Sequence, residues 1–111
     1  MLAMTWEDFG VEFGNLVADQ AQWSQATFGT DSQRGPIGAL RHLEKEAREA
    51  IDNPRDIMEY ADCLLLILDA SRRAGFMAGT LVQAAQRKMA INRTREWPRP
   101  ELDVPIEHVR S

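Results

Sequence analysis

The chain has 111 residues, of which 44% are hydrophobic and 27% are charged, and its formal net charge is −4. This length suffices for one domain, and the apolar fraction argues against a disordered chain. The longest apolar run, residues 63–68, is shorter than the roughly 20 residues that a membrane span requires. No export signal is recognisable, the acidic balance disfavours a nucleic-acid polymer as partner, and the single cysteine cannot form an intramolecular disulfide. We therefore expect a cytoplasmic, single-domain protein.

Apolar residues recur with helical spacing in the first half of the chain. This pattern predicts a first helix over residues 6–27, with Thr5 as its N-cap. Residues 29–36 are dense in turn formers and predict a loop. A second helix is predicted over residues 37–52, and the proline after Asn53 ends it.

The second half of the chain predicts two more helices and a tail. Asp56 can cap the third helix, Gly75 can end it, and Thr80 can cap a fourth, which Pro98 stops. Apolar residues surround the third helix on all sides, which indicates burial against several neighbours, including another subunit. We therefore predict an all-α domain of about four helices over residues 1–98. Residues 99–111 are predicted to form an extended tail that packs on this domain or on a neighbouring subunit.

Acidic residues three apart occur at the end of the second helix and at the start of the third. These are Glu46, Glu49, Glu59 and Asp62. A short connection between the helices would let all four carboxylates converge, and such an oxygen-rich site suits Mg²⁺ or Mn²⁺. Alternatively, the acids are solvated charges that pair along the helix, as Lys45 can with Glu49 and Arg48 with Asp52.

The two motifs together resemble the MazG-like all-α nucleotide pyrophosphohydrolases, which carry Glu-x-x-Glu on one helix and Glu-x-x-Asp on the next. Further segments look like the phage and bacterial branch described as dATP/dGTP diphosphohydrolases. They are residues 22–29, 42–46, 69–75, 88–98 and 105–110. The resemblance therefore spans nearly the whole chain.

This resemblance implies a MazG-like helical bundle that is completed by oligomerisation. It also implies that the four acids bind Mg²⁺ or Mn²⁺, with two or more ions per site. The reaction would convert dGTP or dATP to the monophosphate and pyrophosphate by attack of a metal-activated water. Many members of the wider superfamily begin the first motif with two adjacent glutamates, where this chain has Lys45 and Glu46. Either Glu46 orients the water, or the metal alone activates it.

The resemblance also indicates residues that would bind substrate. Lys88, Asn92 and Arg95 share one helix face and would contact phosphates. The candidates for contacting the base are Trp23, Phe28, His42 and Trp97. For Trp23 the alternative is core packing, because it continues the apolar stripe of the first helix, and for His42 it is an ordinary structural role.

Two other functions remain open at this stage. One is a dUTP, dCTP or modified-nucleotide pyrophosphohydrolase on the same scaffold, since spacing does not determine the base. The other is a catalytically silent helical interaction module. We expect a homodimer or homotetramer that binds a purine deoxynucleoside triphosphate in the cytoplasm of a bacterium or of a phage-infected host.

Overall fold

A computed structural model describes residues 3–109, which form four α-helices and, within that range, no strand. The helices are α1 (Trp6–Phe28), α2 (Ile37–Asp52), α3 (Ile57–Arg73) and α4 (Ala78–Thr94). The all-α prediction is confirmed, and the bounds of α2 agree with it to the residue. None of these helices combines the length and the apolar character needed to cross a bilayer.

Local capping explains where the helices begin and end. The Thr5 hydroxyl accepts a hydrogen bond from the Asp8 amide at 3.0 Å, and the Asp56 carboxylate caps α3 by accepting from the Met58 amide at 3.0 Å. Gly75 follows α3 with φ 97°, and its amide donates to the Arg72 carbonyl. Glycine adopts this left-handed conformation without steric cost, so all three predicted caps are confirmed.

The predicted cap of the fourth helix is wrong. Helix α4 begins at Ala78, so Thr80 lies inside its first turn. Alanine is a strong helix former, which favours a helix that already includes Ala78. The helix therefore starts before the residue that looked like its cap.

The chain divides into two compact units, with the boundary after Ala78. In the first unit α2 and α3 pack along each other and α1 packs on α3. Its buried apolar residues are few, namely Ala39, Leu68 and Ala70, whereas four buried residues are polar or charged. The buried residues described in this unit are therefore mostly polar or charged, and they hydrogen-bond to one another.

The second unit contains α4 and the residues that follow it. Residues 96–109 have no helix or strand. The chain turns at Leu102 and Asp103, where Asp103 has φ 56°, and the Val109 amide donates to the Glu96 carbonyl at 2.6 Å. The tail that was predicted to be extended is therefore looped.

Candidate metal centre

Three of the predicted ligands converge where α2 ends and α3 begins. One carboxylate oxygen from each of Glu46, Glu49 and Glu59 lies within 4.8 Å of the other two. The short connection over residues 53–56 makes this possible, because it places the last turns of α2 beside the first turns of α3. We call these three residues the carboxylate cluster.

The carboxylate cluster is electrostatically unsatisfied. Glu46 Oε2 and Glu59 Oε2 are buried from solvent, and no donor within residues 3–109 reaches them. The adjacent Glu49 carboxyl, followed by His42, lowers the pKa of the Glu46 carboxyl, whereas the neighbouring Glu46 and burial raise the pKa of Glu49. Burial and the charges of Asp56, Asp62 and Glu46 raise the pKa of Glu59. The raised pKa values of Glu49 and Glu59 are expected where like charges lie close together.

The donor set fits a hard divalent cation. Buried acceptors without a donor are costly, and an ion would supply the missing positive charge to the orphaned oxygens of Glu46 and Glu59. Carboxylate oxygens are the ligands that Mg²⁺ and Mn²⁺ prefer. The residues present could therefore hold such a metal between α2 and α3.

The fourth predicted ligand and three predicted base contacts surround a cleft beside the cluster. Asp62 lies outside the group of three convergent oxygens, but it lines a cavity of about 230 Å³ together with Glu46, His42, Trp23 and Phe28. His42 Nε2 lies 3.0 Å from Glu46 Oε1. Trp23 and Phe28 meet edge to face, with ring centroids 5.3 Å apart. Trp23 is 59% exposed, so it is not part of this chain's buried core.

A second polar cluster, which was not predicted from the sequence, contributes Gln20, Ser24 and Asp69 to the lining of the same cavity. We call it the Asp69 network. It consists of Gln20, Ser24, Asp31, Asp69, Arg72 and Arg73. Two arginines and two aspartates balance in charge, and the network joins α1, the α1–α2 loop and α3. The network therefore connects three parts of the first unit.

Every charge in the Asp69 network has a partner. The Asp69 carboxylate accepts hydrogen bonds from Gln20, Ser24, Arg72 and Arg73. Burial would raise the pKa of this carboxyl, but these hydrogen bonds outweigh burial and hold the pKa well below its usual range. The Asp31 carboxylate accepts from Arg72 Nε at 3.1 Å.

Arg73 attaches the α1–α2 loop to α3. Its side chain is only 2% exposed, and Nη1 donates to the carbonyls of Gly29 and Thr30 at 3.0 and 3.3 Å. These carbonyls directly follow Phe28, which lines the cavity. The position of this aromatic wall therefore depends on a buried ion pair.

The remaining predicted substrate contacts lie in the second unit. Arg95 Nη1 donates to Asn92 Oδ1 at 3.4 Å, so these two side chains are neighbours at the end of α4. Lys88 lies one turn before Asn92. The Trp97 indole donates to the Asn92 carbonyl at 2.8 Å, and its ring meets that of His108 with centroids 5.8 Å apart.

The Asp69 network was missed because its partners are distant in sequence. Ser24 and Asp69 are 45 residues apart, and helical spacing does not reveal such a pairing. The available signal was local, since Asp69, Arg72 and Arg73 have the three- and four-residue spacing of ion pairs on one helix.

Together, four helices and convergent carboxylates beside a cleft define an all-α protein with a candidate centre for divalent metal. Residues 16–111 match the model of the dATP/dGTP pyrophosphohydrolase family. The chain belongs to this family, and its fold is of the MazG-like all-α type.

Two relatives and one solved structure support this membership. A dATP/dGTP diphosphohydrolase of cyanophage S-2L is 34% identical over 88 residues, covering 78% of each protein. The Eaa protein of Salmonella phage P22 is 42% identical over 93 residues, which are 84% of this chain but only 28% of the relative. The solved structure is a MazG-like pyrophosphohydrolase of cyanophage S-2L, bound to dGDP and three catalytic Mn²⁺ ions per active site. It superposes with a TM-score of 0.68 and is 32% identical in sequence, and the match covers 87% of this chain and 96% of that chain.

Proposed function

We propose that this protein is a Mg²⁺- or Mn²⁺-dependent pyrophosphohydrolase that converts dGTP or dATP to the monophosphate and pyrophosphate. The observation that carries the proposal is the carboxylate cluster, in which two buried oxygens have no donor. Family membership narrows the chemistry to purine deoxynucleotides. A protein that only scaffolds partners has no need of such an unsatisfied cluster.

The proposed ligands are Glu46, Glu49, Glu59 and Asp62, with more than one ion per site as in the cyanophage structure. Divalent cations held by these carboxylates would neutralise the triphosphate and activate a water for attack. Glu46 would orient that water, and the contact of His42 Nε2 with Glu46 Oε1 at 3.0 Å would position its carboxylate. Asp62, which lines the cavity, would be the fourth ligand.

We place the base in the cleft of the first unit. Trp23, Phe28 and His42 line this cleft, and an aromatic face can stack on a nucleobase. Lys88, Asn92 and Arg95 are the proposed phosphate contacts, and Trp97 is a further proposed base contact. In this proposal residues 1–98 form the catalytic domain and residues 99–111 form a tail that packs on it or on a neighbouring subunit.

The same proposal includes self-association into a homodimer or homotetramer. Large apolar side chains lie exposed on several helices, with Trp6 at 88%, Ile51 at 75% and Ile57 at 75%. Soluble monomers rarely expose so much apolar surface, and this chain buries few apolar residues of its own. Light scattering after gel filtration should give at least twice the protomer mass of 12.6 kDa. A monomer at micromolar concentration would contradict this part of the proposal.

Product analysis tests the reaction. The protein is incubated with each dNTP and Mn²⁺, and the products are separated by anion-exchange chromatography. Formation of dGMP or dAMP with pyrophosphate supports the proposal. Release of the diphosphate with orthophosphate would show that a different bond is cleaved, and absence of turnover with any nucleotide would overturn the activity itself.

A further inference from the structure

The cleft extends beyond the carboxylates toward the start of α2. A second cavity, of about 160 Å³, adjoins the first and shares Phe28, His42 and Asp69 with it. The first cavity contains Glu46 in its wall, whereas the second contains Arg34 and Gly38. The two cavities therefore adjoin, with Glu46 in the lining of one and Arg34 in the lining of the other.

Contacts of its backbone and of its aliphatic carbons position Arg34, rather than an ion pair. Its amide donates to the Thr30 carbonyl at 3.1 Å, and its Cγ and Cδ lie 3.6 Å from the point where a Cβ on Gly29 would lie. The guanidinium makes one long hydrogen bond, from Nη1 to the Phe28 carbonyl at 3.5 Å. Within residues 3–109 no carboxylate forms an ion pair with it, in contrast to Arg72 and Arg73.

The guanidinium lies over Gly38. An added Cβ at this glycine would be only 3.0 Å from Arg34 Nη2, so the absence of a side chain lets the guanidinium lie against α2. Gly38 and Glu46 are eight residues apart on this helix, which corresponds to roughly 12 Å along its axis. A purine nucleotide spans a comparable distance from its α-phosphate to the far edge of its base.

We propose that Arg34 is a specificity-determining residue that reads the N7 and O6 edge of guanine. This inference rests on the proposed function, because phosphates at the carboxylate cluster leave the adjoining cavity, which Arg34 lines, for the base. A guanidinium only donates hydrogen bonds. Guanine presents two acceptors on this edge, whereas adenine presents one acceptor and one donor. Arg34 therefore favours dGTP over dATP.

The test compares kcat/KM for dGTP and dATP, with Mn²⁺, in the wild type and in Arg34→Ala. We expect a loss of about tenfold for dGTP, within the usual range for a bidentate base contact, and a clearly smaller loss for dATP. With 7-deaza-dGTP, which lacks the N7 acceptor, the wild type should lose part of its advantage and the variant should not. Equal losses for dGTP and dATP, or no loss, would overturn the assignment of Arg34.

Paired glycine substitutions test the same contact without removing the arginine. Gly38→Ala places a methyl group against Nη2 and should reduce the dGTP preference in the same direction but by less. Gly14→Ala is the matched control, because it is also a helical glycine and its Cβ would meet nothing within 4 Å. An unchanged preference in Gly38→Ala would contradict the proposed geometry. Absence of wild-type turnover with both nucleotides would instead overturn the proposed function, and this inference with it.

Discussion

The carboxylate cluster and the Asp69 network both contribute residues to the lining of one cavity, but they use acidic side chains in opposite ways. The carboxylate cluster brings three glutamates together and leaves two buried oxygens without donors. The Asp69 network pairs each aspartate with arginine and adds neutral donors. One arrangement gathers like charges, and the other pairs opposite charges. This difference separates a candidate metal site from a network that stabilises the fold.

The largest effect should come from Glu59→Gln. We expect activity to fall by more than about 100-fold, the upper figure for residues that only support a ligand. A carboxyl whose pKa is raised by folding destabilises the folded state once it ionises. The metal-free variant should therefore be more stable than the metal-free wild type at neutral pH. Thermal unfolding and nucleotide turnover measure the two effects, and retained wild-type turnover would contradict the ligand assignment.

In contrast to Glu59→Gln, Asp69→Asn should greatly reduce the stability of the fold. The amide cannot accept from both arginines as the carboxylate does, and Arg73 is left buried without its closest counter-charge. We expect a loss of about 2 kcal/mol in the free energy of unfolding. Urea denaturation measures it, and Asp52→Asn on the exposed end of α2 is the control. Unchanged stability would contradict the structural role of Asp69.

His42→Ala should have an intermediate effect on the affinity for metal and little effect on the stability of the fold. The ring contacts Glu46 Oε1 at 3.0 Å and would orient this proposed ligand. Loss of such a supporting contact should weaken Mn²⁺ binding by about tenfold, which calorimetric titration measures. Arg41→Ala, the neighbouring exposed residue, should leave the affinity unchanged. Equal affinity in the wild type and in His42→Ala would exclude this supporting role.

The smallest effect should be the pH dependence of the stability that Asp69 contributes. Folding depresses the pKa of Asp69, so its stabilising contribution is present above the unfolded pKa of about 3.9 and is lost as pH falls below it. The stability difference between wild type and Asp69→Asn should therefore shrink by about 1 kcal/mol between pH 7 and pH 3. Urea denaturation at both pH values measures it. A constant difference would show that the charge of Asp69 does not contribute.

Local chemistry made most of the fold predictable. Thr5, Asp56 and Gly75 act within a few residues of their own positions, so sequence alone indicated where α1 and α3 begin and where α3 ends. Glu46, Glu49 and Glu59 also converge across a short connection, as their spacing suggested. Long-range contacts were not predictable. Apart from Asp69, the partners of Arg73 lie more than 40 residues away, and the contact of Arg34 with Gly38 depends on how the α1–α2 loop folds.

A direct test of the difference between the two acidic clusters is a Mn²⁺ titration followed by electron paramagnetic resonance, which detects the free ion. The wild type should bind Mn²⁺ and lower the free-ion signal until its sites are saturated. Asp69→Asn should do the same when it is studied below its unfolding temperature. Glu59→Gln should leave most of the signal in solution. Equal depletion by the wild type and Glu59→Gln would contradict the assignment of the carboxylate cluster as the metal centre.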